Sequence, residues 1–170
     1  MGRLLRDMPP LQRRSAYQAL LFCAFNLFWT TAPIMLAQRF GLHEHGIGFF
    51  ALAGAGGALA APLAGRLADR GRVRSATAGS MAALALAFCG TAWAVAAAAL
   101  MTLVVLTVLL DAAVQTNQVV SQRIIFSTPP ETRGRVNAIY MTILFAGGAL
   151  GSVLGTMIYH WGGWPGIAGA

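Results

Sequence analysis

The sequence contains no lysine, and only 10% of its 170 residues carry charge. A water-soluble domain has about 25% charged residues, so a normally hydrated surface cannot be assembled from this chain. Acidic groups are scarcer still, with Asp and Glu together numbering five. There are two cysteines, Cys23 and Cys89. Both lie inside apolar runs, where a thiol behaves as a small hydrophobe, and neither supports a disulfide framework. No nucleophile–base pair, glycine-rich phosphate loop or metal-ligand cluster is present, so nothing carries an enzyme reading and no cofactor is implied. His43 and His45 lack a third ligand and read as polar loop residues, not a metal site.

What the chain does have is apolar length: 57% hydrophobic residues and a mean hydropathy of +0.65. The net charge of +7 would suggest a nucleic-acid partner, but the placement of the charges excludes it. The arginines fall in three clusters between apolar runs: Arg3, Arg6, Arg13 and Arg14; Arg66, Arg70, Arg72 and Arg74; and Arg123, Arg133 and Arg135. Only Arg39 lies elsewhere. This is the positive-inside asymmetry of short membrane loops, and the expected partners are a bilayer and its anionic headgroups. The run after Arg14 is longer than the roughly 7–15-residue apolar region of a signal peptide and lacks a clear cleavage site.

A spanning helix needs about 20 mostly apolar residues. Residues 1–15 are expected to form a cytoplasmic basic segment. Spans follow at about 16–37, 47–65, 75–92, 97–122 and 136–159. The third and fourth come from one run, 75–122, which as a single helix would be about 72 Å long against a core of roughly 30 Å. It is therefore split, with an outer turn near Trp93, a residue type favoured at the interface. Residues 160–165, with Trp161 and Trp164, are expected to make an outer-surface turn, followed at Gly166 by the start of a sixth span that five residues cannot complete. With this alternation all three His fall outside and eleven of the twelve Arg inside.

The turn Gly65-Arg66-Leu67-Ala68-Asp69-Arg70-Gly71-Arg72 resembles the cytoplasmic loop signature of the major facilitator superfamily, lacking one residue before the second Gly. In that family the motif lies between helices 2 and 3 and, degraded, between helices 8 and 9. A second resemblance covers about 45 residues: Leu110-Asp111 through Gln115, Asn117 and Gln118, then Pro130 to Asn137, then Tyr140-Met141-Thr142. This is similar to helices 10 and 11 of bacterial efflux-type permeases. The resemblance implies an all-α fold, the C-terminal six-helix bundle of a facilitator, with helices 7 to 11 complete and helix 12 truncated. It further implies a fragment in the bacterial inner membrane, an N-terminal six-helix half as partner, and proton-coupled efflux of a small molecule in the intact protein. Asp69 would then meet a helix of the other half. A non-transporting membrane scaffold or accessory subunit remains the alternative.

Thr107, Asp111, Gln115, Gln118 and Gln122 share a stripe within about 80° of arc on the fourth span. A carboxylate near mid-membrane costs about 3 kcal/mol on insertion scales, so Asp111 must face protein or water. Three Gln on the same side suit a hydrated substrate pathway, and helices 7 and 10 line the cavity in the family that the chain resembles. Asn26 and Thr30 share a face of the first span and would complement the stripe. A structural polar network gluing helices together is the other reading. Small residues recur every four positions at Ala53, Gly57, Ala61 and Gly65, and again at Gly147, Gly151 and Gly155. Such faces admit close helix packing. Both are expected to point toward the other half.

Overall fold

The computed structural model describes residues 8–169, with the side chain of Ala168 excepted. The first seven residues of the expected basic segment, with Arg3 and Arg6, lie outside the described residues. Among the described residues five helices are long and apolar enough to cross a membrane. They are α1 (Pro9–Phe40), a broken second span, α4 (Val73–Ala96), α5 (Leu100–Phe126) and α6 (Pro130–Ala168). The second span comprises α2 (Glu44–Ala55), a 3₁₀ stretch (Gly56–Ala60) and α3 (Ala61–Asp69).

Local chemistry sets these boundaries. Pro9 and Pro10 open α1, where a missing N–H costs nothing. Gly41 ends it in the left-handed conformation (φ 64°), and the Leu42 N–H closes back on the Leu36 carbonyl at 3.3 Å. The 3₁₀ break precedes Pro62, whose ring and missing N–H disrupt regular α-helical bonding just upstream. The helices extend past the expected membrane spans, taking Arg13, Arg14, Arg133 and Arg135 into helical turns.

The outer connections differ from expectation. The α4–α5 reversal lies at residues 97–99, with Ala98 at φ 52°, not at Trp93, which is still inside α4. Residues 160–162 remain helical, and α6 turns at the single residue Gly163 (φ 57°, ψ −153°). Trp164 then packs edge-on against Phe28 at 5.6 Å and is buried with Ile167 in the main core. Trp161 is 86% exposed, as suits an interfacial residue. Arg39, the arginine outside the three clusters, donates to the carbonyls of Val95 (3.1 Å) and Ala96 (3.0 Å). There it offsets the negative end of the α4 dipole.

In the packing, α5 is central. It contacts the broken span, α4 and α1, while α6 lies along α1. The α1–α6 seam corrects the expectation for Gly147, Gly151 and Gly155. These glycines face not another half but the α1 backbone, at Ala19, Cys23 and Leu27 respectively. Gly57 likewise is buried against α5, and Ala53 and Ala61 are half-buried. The outward surfaces of these spans carry large residues, Leu52, Leu59 and Leu63 on one and Phe145, Leu150 and Val153 on the other. Small residues cluster where backbones meet, because close approach is what gives van der Waals contact when lipid supplies no hydrophobic drive.

The seam gives a prediction of opposite signs. Gly151→Val forces a side chain into the Cys23 backbone and should cost about 1–3 kcal/mol. Gly79→Ala, where an added Cβ meets open space inside α4, should stabilise by up to about 1 kcal/mol. Thermal unfolding in detergent, followed by tryptophan fluorescence, would check both signs.

Candidate functional site

The site is built on the middle of α5. Asp111 is half-buried there and accepts a hydrogen bond from the Trp29 indole N–H of α1 at 3.0 Å. The broken span closes in from the other side. A Cβ on Gly57 would lie 2.5 Å from the Asp111 Cβ and 2.6 Å from the Ala112 backbone nitrogen. A Cβ on Gly54 would lie 2.7 Å from the Trp29 ring. The two glycines, with the 3₁₀ break between α2 and α3, let a backbone pass directly beside the carboxylate and its indole partner.

Asp111, Gln115 and Gln118 face a cleft of about 180 Å³ together with Phe22, Phe25, Ala55, Ala58 and Val114. Phe22 and Phe25 stack at 5.5 Å with planes 7° apart, and Phe25 leads on to Trp29 at 6.3 Å. The cleft thus has one carboxylate and two amides on the α5 side and an aromatic wall on the α1 side.

The other expected residues separate from this group. Thr107 is 0% exposed and donates to the Leu103 carbonyl at 2.8 Å, so it belongs to the packed interior and not to the pathway. It sits against Gly54, and the fully buried site has no room for substrate. Thr30 reaches sideways to the Ser152 hydroxyl of α6 at 3.1 Å. The Asn26 amide donates to its own helix at the Phe22 carbonyl, 2.8 Å. Gln122 is half-buried one turn beyond the cleft-lining residues. Both threonines act as packing groups because a hydroxyl in an apolar span satisfies itself on the nearest carbonyl or hydroxyl.

Sequence reasoning missed Trp29 and Gln18. Trp29 had one signal: an indole N–H inside an apolar run, away from its interface, needs a partner. Gln18 is fully buried and its Oε1 accepts from the Asn117 amide at 2.7 Å, joining α1 to α5. Near the arginine-rich end Asp69 pairs with Arg123 of α5 at 3.3 Å. Asp69, expected to meet a helix of the other half, thus has a partner within this bundle. The turn brings α3 back beside the end of α5, and Gly65 passes 3.7 Å from the Arg123 guanidinium. The two side chains are 57% and 58% exposed, so the pair contributes about 0–1 kcal/mol. Gly71 supplies the turn's positive φ (71°), and Arg70 and Arg72 are exposed.

The profile of the Major Facilitator Superfamily matches residues 15–170. The chain belongs to that superfamily. Among curated relatives, the "Uncharacterized transporter YgaY" of Escherichia coli O157:H7 is 35% identical over 158 residues, covering 92% of this chain. The "Probable transporter SCO4007" of Streptomyces coelicolor is 34% identical over 171 residues, covering 96% of it. The chain spans only 40% and 38% of the lengths of these two relatives. No solved structure gives a significant match. The facilitator chain is thus an all-α, multi-pass membrane protein, with five membrane-length helices among the described residues.

Removing one partner of the Gln18–Asn117 pair leaves the other amide buried without that hydrogen bond. Gln18→Leu and Asn117→Leu should each destabilise, and the double variant should recover part of the loss. The coupling energy should be about 0.6 kcal/mol, and up to about 1.7, by a double-mutant cycle on detergent unfolding.

Proposed function

We propose that the intact protein is a secondary transporter that moves a small molecule through the cleft beside Asp111, by alternating access, in exchange for protons. The observation that carries this reading is the position of Asp111. Among the described residues it is the acidic residue placed mid-helix in an apolar span, while Glu44, Asp69 and Glu131 sit at helix ends. It lines one cleft together with Gln115 and Gln118. A carboxylate in that position is costly to maintain and accords with an ion or substrate pathway. The names of the relatives, both transporters, agree with it.

A second six-helix half covers the open side of the cleft, so that substrate is held between halves near mid-membrane. The relatives, more than twice as long as this chain, have the length for it. The arginine clusters at the ends of α3 and α5 lie on the cytoplasmic side of a bacterial inner membrane, and the chain runs outward along α1. The efflux direction follows from the likeness of α5 and α6 to efflux-type permeases.

Everted vesicles holding a respiration-driven pH gradient provide the test. Addition of a compound from a small-molecule panel should release protons through the intact protein. Asp111→Asn should lower that flux at least tenfold, and Gly79→Ala should leave it unchanged. Undiminished flux in Asp111→Asn would remove the carboxylate from the pathway. A panel with no responding compound would favour the scaffold reading.

A further inference from the structure

A second cleft, separate from the one beside Asp111, lies between the arginine-rich ends of α1 and α4. It measures about 600 Å³, and Arg13, Arg14, Tyr17, Arg74 and Thr77 are among its walls. Arg14 is half-buried and donates to the hydroxyl of Thr77, itself 6% exposed. A partly desolvated positive charge thus has a neutral oxygen as its partner. Arg13 and Arg74 are exposed and have no ion-pair partner among the described residues. Among those residues no carboxylate lines the cleft, and Asp69 is already engaged by Arg123. Both helices begin here, α1 at Pro9 and α4 at Val73, and add the positive ends of two dipoles. Three guanidinium groups around one cleft repel one another, and an oxyanion between them relieves that repulsion.

We propose that this cleft binds a phosphate oxyanion whose source is the headgroup of an anionic phospholipid. Arginine suits phosphate because its planar fork of N–H donors meets two oxygens at once. The apolar part of the cleft points to lipid as the source. Ala78, Met81 and Ile124 also line it, and Met81 borders a further apolar groove between α1 and α4, with Leu20, Leu84 and Phe88. A phosphate held by the arginines therefore has an apolar exit for its acyl chain past Met81, which a free phosphate would not need. The charge balance chooses among lipids as well. A zwitterionic headgroup brings its own cation to a cleft with three arginines and no carboxylate, so phosphatidylglycerol is preferred to phosphatidylcholine. The site requires only the bilayer that the membrane-length helices call for, and it is independent of the transport reading.

Native mass spectrometry of the delipidated intact protein in a neutral detergent, titrated with lipid, provides the test. Phosphatidylglycerol should bind more tightly than phosphatidylcholine of the same chain length. Arg14→Gln should weaken phosphatidylglycerol binding about fivefold, and the further changes Arg13→Gln and Arg74→Gln should weaken it again. Arg70→Gln, which removes the same charge from an exposed turn, should leave it nearly unchanged. Inorganic phosphate and glycerol 3-phosphate at matched concentration should not displace the lipid. The unmutated protein gives a reading that requires no variant to fold. Phosphatidylglycerol with a photoreactive diazirine near its headgroup, in nanodiscs, should form adducts within residues 9–17 and 74–81. Adducts confined to other segments, equal binding of the two lipids, or equal losses in Arg14→Gln and Arg70→Gln would overturn the proposal. Displacement of the lipid by inorganic phosphate would overturn the lipid source.

Discussion

A carboxylate in the middle of an apolar helix cannot be left facing lipid, and the arrangement of the bundle follows from how Asp111 is accommodated. It needs a donor, which α1 supplies through the Trp29 indole. It needs helices close enough to shield it, which Gly54 and Gly57 permit by admitting the second span at backbone distance. That approach coincides with a departure from regular α-helix, the 3₁₀ stretch before Pro62. The position of α1 is fixed from its other side by the seam of Gly147, Gly151 and Gly155. The aromatic wall of the cleft is therefore held by two glycine contacts, one on each flank of α1. Both contacts lie within this chain.

The spans themselves were plain in the sequence, because runs of apolar residues of about 20 have one physical solution in a bilayer. The α5 stripe was also legible, since about 100° per residue fixes which side chains share a face. Periodicity does not say what the face meets. Thr107 lies on the stripe with Asp111, yet it falls where Gly54 brings the second span into contact, and it is sealed. The small-residue faces carried the same ambiguity. A glycine seam looks identical whether its partner helix is in the same bundle or another, and here α1 fills it. Trp93 and Trp164 show a different limit. The turn formed where Ala98 could adopt a positive φ and at Gly163, and the buried Trp164 was preferred as a core residue over an interfacial one.

The charged residues follow one rule with two outcomes. At the arginine-rich side Arg66, Arg70, Arg72 and Arg74 remain exposed, Arg14 donates to the Thr77 hydroxyl, Arg133 donates to the Thr128 carbonyl, and Arg123 takes up Asp69 of the neighbouring turn. At the opposite end Arg39 is retained because it serves the carbonyls that terminate α4. The loop signature thus places one exposed ion pair between the ends of α3 and α5, the two spans that also meet at Gly57 and Asp111.

The central claim is that the Asp111 side of α5 borders water and not lipid. In a background with Cys23 and Cys89 replaced by Ser, single cysteines at Gln115, Gln118 and Leu109 can be exposed to a membrane-impermeant thiol reagent in the intact protein. Leu109 lies about 200° around the helix from Asp111. The account predicts fast labelling at Gln115→Cys and Gln118→Cys and none at Leu109→Cys. Labelling at Leu109→Cys with protection at the two Gln positions would contradict it.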